Sequence, residues 1–396
     1  MAIRYNEICK NRQLNQVVLM GSHDAAIASG GSNAKTQTQD IYGQARDGAR
    51  FFDLRVAAFR TSTLGGKVEL RSYHDATKVS SPTLRLGDRM KVVDLGDQKR
   101  DNVKVHTNML GVSGFGLRDM LVDAKRFLQQ YDKEFLIFKF DKSENWPLIY
   151  EVCYNELVAQ GFMFQAPSAA GGARNLNTKQ LRDLRGKLLI LFPASAFTEI
   201  PGKTADTLHG EGFLKWKNLY SKSSNAAAGY DDDYEGLQYY GKGGVSAGAS
   251  GDTGKIDRNR NVQAQLMNGQ GAFATAKTGW KGMIGQKNKG FHASAPGKAI
   301  GLMYWTTTGP STSGILKRNG KMWTDVVRGE MIQIGLQMAD PTVAVMGPGG
   351  AGVALKPFMP NIIMVDFVDR MKGNTIKDMN FNSGAVIAQQ LVGMDA

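Results

Sequence analysis

The chain has 396 residues, 42% of them hydrophobic and 21% charged, which is enough to bury a large core as one α/β barrel or two smaller domains. Its two cysteines, Cys9 and Cys153, lie far apart and suggest neither a disulfide framework nor a zinc cluster, and no apolar run is long enough to span a bilayer. The formal net charge of +13 is spread along the chain without basic blocks, zinc-finger spacing or an aromatic-paired sheet motif, so anionic partners fit and nucleic acid is not expected to be one.

The N-terminus, Met1 to Glu7, is polar and carries no apolar signal core, which places synthesis in the cytoplasm and leaves a signal-less secretion route open. Val17 to Met20 reads as a short buried strand that stops at Gly21 and is followed at once by Ser22, His23 and Asp24. A titratable pair where a strand surfaces is typical of parallel α/β sites, and equally of a turn cap. Asp40 to Gly48 reads as a short helix, then Phe51 to Val56 as a strand. Asp53 and Arg55 on that strand share a face, because side chains two apart point the same way. Two such charges on an apolar strand either compensate each other as a buried pair or meet a ligand.

Lys67 to His74 and Val103 to His106 read as strands flanking a polar insertion at about 75–102. Leu117 to Tyr131 is an amphipathic helix, Phe135 to Phe140 a buried strand that turns charged at Asp141, and Trp146 to Leu157 a second helix. A strand follows at Leu188 to Phe192. The stretch 221–299 is rich in Gly, Ser, Asn and Ala and reads as a second insertion, too long for an ordinary connection. Ile300 to Trp305 reads as a strand, Trp323 to Met338 as a helix and Ile362 to Phe367 as a last strand before a short helix. Strands alternating with helices over most of the chain indicate a parallel barrel or an open parallel sheet, as one unit over 1–396.

Several of these pieces, taken in order, resemble the catalytic X domain of phosphatidylinositol-specific phospholipase C. They are Gly21-Ser22-His23-Asp24 after a strand, Gln44 with Gly48 to Arg55, a later histidine ahead of an amphipathic helix, Lys133 to Ile137, Leu184 to Lys187 and Pro360 to Phe367. The resemblance runs from about residue 14 to 370 and implies an irregular TIM-type (β/α)8 barrel with long loop insertions and a site at the C-terminal strand ends. It implies a phosphodiesterase acting on a phospholipid or related phosphodiester, with a neighbouring substrate hydroxyl as nucleophile and a cyclic phosphate as product.

By the same resemblance His23 is the base, Arg55 grips the phosphate, Asp53 holds Arg55 or the base, and Asp24 assists proton transfer to the leaving group. His106 is expected to be the acid, since the helix context after it fits, with His74 as the alternative. His209 and His292 read as structural or solvated. Arg55 stands where members that work without metal carry an arginine, so no cofactor is expected. The alternative is Ca²⁺ held by Asp24, Asp53 and Asp141, with Lys139 otherwise filling the position of the metal-free members' lysine. Where those members hold the head group with an arginine after the Arg-Gly-Lys turn, this chain has Leu191-Phe192-Pro193. The second insertion is open to peripheral membrane contact. The alternative to an enzyme is an inactive barrel that binds phosphorylated head groups or a protein partner.

Overall fold

The computed structural model describes residues 2–28, 35–60, 67–74, 83–85, 90–92, 99–100, 103–106, 113–165, 173–219, 230–241, 243, 251–267, 298–307, 315–321, 323, 345–346, 352–353 and 360–382. Eight strands form a closed barrel: β1 (Leu19–Ser22), β2 (Ala49–Leu54), β3 (Phe135–Phe140), β4 (Lys187–Pro193), β5 (Phe213–Asn218), β6 (Gly236–Gly241), β7 (Ile300–Trp305) and β8 (Pro360–Val365). Each strand pairs in parallel with its chain neighbours, and β8 closes on β1 through Leu19 opposite Ile362. This is the TIM-type barrel that the resemblance implies, and it decides between the barrel and the open sheet that the alternation of elements allows.

Period-two alternation sorts the strand residues into two cores. Leu19, Phe51, Ile137, Leu191, Leu237, Leu302 and Met364 fill the barrel interior together with Tyr5 and Leu14 of the N-terminal segment. Met20, Phe52, Phe138, Ile190, Met303 and Ile363 point outward and pack with the helices, among them Leu117–Gln130 and Trp146–Cys153. At the N-terminal end Arg50 and Glu134, at 0% and 1% side-chain exposure, pair at 3.0 Å. Arg50 also donates to the carbonyls of Ile3, Ala45 and Ala49, and Glu134 accepts from the Asn6 N–H, so the pair pins the N-terminal segment under the barrel.

Both expected insertions need redrawing. The first belongs to a side sheet that begins at Val56, immediately after β2, and runs to Gly116. Val56–Arg60 pairs antiparallel with Lys67–Tyr73 and parallel with Lys104–His106, and Thr83–Arg85, Met90–Val92 and Lys99–Arg100 extend the sheet. The second is not one insertion, because barrel strand β6 crosses it and the helix Gly251–Met267 packs beside β7. Glycines at both ends of β6 conceal it in the sequence. Gly236 has φ +151, and a Cβ there would lie 1.8 Å from the Lys215 carbonyl oxygen, so glycine is what lets β6 approach β5. The α-helix from Trp146 ends at Cys153 and continues as a π-turn over Tyr154–Val158. Of the helix expected at 323–338, only Trp323 is among the described residues, and a helix does cover Ile315–Lys321.

Candidate active site

The alternation that fills the barrel with apolar side chains at its base turns polar at its C-terminal end. Leu19 and Gly21 are followed by His23; Phe51 by Asp53 and Arg55; Phe135 and Ile137 by Lys139 and Asp141; Ile362 and Met364 by Asp366. On β5, β6 and β7 the same positions carry Trp216, Tyr239 and Tyr304. One rule of strand geometry thus gathers the charged residues at a single mouth.

His23 lies between two carboxylates. Its Nδ1 is 2.9 Å from Asp366 Oδ1 and its Nε2 is 3.6 Å from Asp24 Oδ2, with Tyr304 edge-on at 5.8 Å between ring centroids. Burial opposes a charge on the ring, but Asp24 and Asp366 outweigh it and raise the histidine to about 9. Asp24 is held in a left-handed backbone conformation, φ 41°, in which its carbonyl accepts from the Thr36 hydroxyl. Its carboxylate meets Arg55 Nη2 at 3.2 Å and His74 Nε2 at 3.1 Å. Burial works against that carboxylate, yet His23, Arg55 and His74 together hold it far below the usual range. Phe367, directly after Asp366, is also left-handed at φ 51°. Backbone strain therefore follows each member of the His23–Asp366 pair.

Asp53 and Arg55 share a face as expected but do not use each other as first partner. Asp53 Oδ1 accepts from Lys139 Nζ at 3.0 Å, while Arg55 reaches Asp24. Lys139, 0% exposed, also donates to Asp141 at 3.2 Å and lies 4.5 Å from the centre of the Trp216 ring. Burial disfavours its charge, but Asp53 raises it well above the usual lysine value, so it stays an ammonium. Arg55 is likewise pushed up against burial, chiefly by Asp24 and then Asp53.

Of the two candidates for a second histidine, the structure brings His74 to the mouth and leaves His106 outside it. Lys67–Tyr73 folds back along Val56–Arg60, so that the Tyr73 N–H donates to the Arg55 carbonyl and His74 returns beside Asp24. His106 pairs instead with Phe59, four residues beyond Arg55, which is about 13 Å along an extended strand. There its Nε2 bonds Glu144 at 2.8 Å and its ring lies against Phe59 and Tyr73. The helix context that follows His106 favours it in the sequence, whereas the closeness of His74 to Arg55 is the mark of the antiparallel return that brings His74 to the mouth. His209 is fully buried, bonded to the Phe213 carbonyl and paired with Glu235, as a structural histidine should be. His292 lies outside the described residues.

Asp366 is the site residue that the sequence reading misses, although its strand is part of the resemblance. Its signal is the one Asp53 and Asp141 give: an acid at the inward position at the C-terminal end of an apolar strand.

The metal question can be put to the donor atoms. His23, Asp24 and Asp53 offer atoms within 4.8 Å of one another. Ca²⁺ needs about six to eight oxygen ligands, and here Asp53 and Asp141 already bind the Lys139 ammonium while Asp24 binds Arg55. The carboxylates are neutralised by side-chain cations, which is a poor fit for a divalent ion.

The site and fold define a closed parallel barrel with a histidine–carboxylate–arginine cluster at its mouth. No family model and no curated protein matches the sequence. Among solved structures the chain is similar to the phosphatidylinositol-specific phospholipase C from Listeria monocytogenes, at 14% identity and a TM-score of 0.46, covering 95% of this chain and 97% of that one. The phosphatidylinositol-specific phospholipase C of S. aureus is similar at 14% identity and a TM-score of 0.48, with 94% and 95% covered. A calcium-dependent phosphoinositol-specific phospholipase C from Pseudomonas sp. gives 14% identity and a TM-score of 0.35 over 60% of this chain and 78% of that one. The likeness is one of fold.

Proposed function

We propose that the protein is a phospholipase C-type phosphodiesterase that works without a metal, on a phospholipid or related phosphodiester carrying a hydroxyl beside the phosphate. The observation that carries this reading is a pair of buried histidines and an arginine gathered on shared carboxylates: His23 between Asp366 and Asp24, with His74 and Arg55 both on Asp24. Acid–base cleavage of a phosphodiester needs a group that takes a proton, a group that gives one, and fixed positive charge where charge builds.

In the reaction His23 Nε2 takes the proton of the substrate hydroxyl, whose oxygen attacks phosphorus. The bond from phosphorus to the leaving alkoxide breaks, and His74 gives that oxygen a proton, leaving a cyclic phosphate. Asp366 keeps a proton on His23 Nδ1, so that Nε2 is the basic atom. Arg55 offers a planar fork to the phosphate oxygens. Lys139 adds a fixed positive charge in the place a metal would supply one, held by Asp53 and Asp141. His106 and Glu144 take no part.

Because Asp24 and Asp366 hold His23 as an imidazolium near neutral pH, the fraction able to act as base grows as pH rises toward about 9. The test is turnover of lysophosphatidyl- and phosphatidylinositol and other head groups by wild type, His23→Ala, His74→Ala and His106→Ala. The first two variants should lose about a hundredfold to ten-thousandfold in activity, and His106→Ala should stay near wild type. Loss in His106→Ala with retention in His74→Ala would overturn the assignment of the acid.

A further inference from the structure

We infer that Asn319, on the helix Ile315–Lys321 outside the barrel, is a positioning residue that fixes His23 through Asp366; its part in catalysis rests on reading His23 as the base. The Asn319 amide has one orientation consistent with its neighbours. Its Oδ1 accepts from the Thr307 N–H at 3.0 Å, so its Nδ2 is the end that faces Asp366, donating to Oδ2 at 2.9 Å. With Oδ2 engaged, Asp366 Oδ1 is left for His23 Nδ1 at 2.9 Å, and His23 Nε2 turns to the mouth.

The bond has an electrostatic consequence. Asp366 is 1% exposed, and a carboxylate so buried is driven toward its protonated form unless donors compensate. Asn319 supplies a neutral donor to it. Removing that donor lets the shared proton move from His23 Nδ1 to Asp366, which leaves the imidazole without the fixed Nδ1–H that makes Nε2 basic.

Asn319 is itself braced. Arg318, 1% exposed, donates from Nε and Nη2 to the Thr307 carbonyl at 3.1 and 2.6 Å and from Nε to the Thr307 hydroxyl at 3.1 Å. Its Nη1 reaches Asp252, on the helix Gly251–Met267, at 3.4 Å. Asn259 on that same helix donates to the carbonyls of Tyr304 and Thr306, tying it to the end of β7. A continuous polar chain thus runs from Asp252 through Arg318, Thr307, Asn319 and Asp366 to His23. One end of it comes from Gly251–Met267, a helix inside the stretch whose composition reads as an insertion.

The experiment is ¹⁵N-histidine NMR of the substrate-free protein, comparing wild type with Asn319→Leu and the isosteric Asn319→Asp. Asn319→Asp keeps the acceptor for the Thr307 N–H and puts an acceptor where Asp366 needs a donor. The wild type should show a far-downfield Nδ1–H resonance assigned to His23 by its loss in His23→Gln. Both Asn319 variants should shift or lose that resonance while keeping a cooperative thermal transition. Turnover should fall about ten- to hundredfold in kcat, the range typical for an outer partner of a histidine, with KM little changed. A folded Asn319→Asp protein with the wild-type resonance and kcat would overturn the inference. A moved resonance in a protein whose wild type cleaves no phosphodiester would support the hold on His23 and sink only the proposed reaction.

Discussion

His23 connects the chemistry of the mouth to the stability of the barrel. Its folded-state value of about 9 lies above the ordinary histidine value of about 6.5. Its contribution is therefore complete below about pH 6.5 and is lost as pH rises through about 9. The difference in thermal midpoint between wild type and His23→Gln should shrink over that interval; a constant difference would contradict the contacts with Asp24 and Asp366. Asp24 acts in the opposite sense. Its folded value is depressed by His23, Arg55 and His74 against the pull of burial, so its contribution is present above the ordinary carboxylate value and lost in acid. Arg55→Lys keeps a positive charge but not the planar fork, and should cost about a hundredfold in activity if the fork grips the developing charge. Much of this site is legible from residues alone, because His23, Asp53, Arg55, Lys139 and Asp141 continue the inward period-two series of apolar strands at their C-terminal ends, with Asp24 directly after His23. The pairing within the set is not legible: which carboxylate meets which cation depends on strand neighbours distant in sequence, as with Lys139 and Asp53 across β3 and β2.

Among the elements, the side sheet and β6 are where sequence reading falls short, each for a different reason. The hairpin of Val56–Arg60 and Lys67–Tyr73 carries His74 back to the mouth, and its antiparallel register decides between His74 and His106 where helix context points the other way. Strand β6 is six residues bounded by glycine inside a Gly-rich stretch, so composition points to loop while the close approach of Gly236 to Lys215 makes it barrel. Gly236→Ala should either fail to fold or unfold at markedly lower denaturant than wild type, since the clash is with backbone and no side chain can yield. At the other end of the barrel, Glu134→Ala strands the Arg50 charge at 0% exposure and should destabilise by about 3–5 kcal/mol in urea unfolding. A loss below about 1 kcal/mol would mean that the carbonyls of Ile3, Ala45 and Ala49 satisfy Arg50 alone.

For the molecule as a whole, alternating strands and helices make the parallel barrel legible, since the crossover pattern leaves few other architectures. Among the described residues no helix is long and apolar enough to cross a membrane. One barrel brings four aspartates, two histidines, an arginine and a lysine to one end, and places the remaining described histidines, His106 and His209, against carboxylates elsewhere. The intramolecular cations extend the proposed reaction to a further prediction: any phosphodiesterase activity should be unchanged by chelation. The most direct measurement is phosphorus NMR of the protein mixed with a panel of phospholipids, with and without EDTA, beside His23→Ala. A cyclic-phosphate resonance that persists in EDTA and disappears in His23→Ala is the predicted result. A resonance that EDTA abolishes, or one that His23→Ala still produces, would contradict the account.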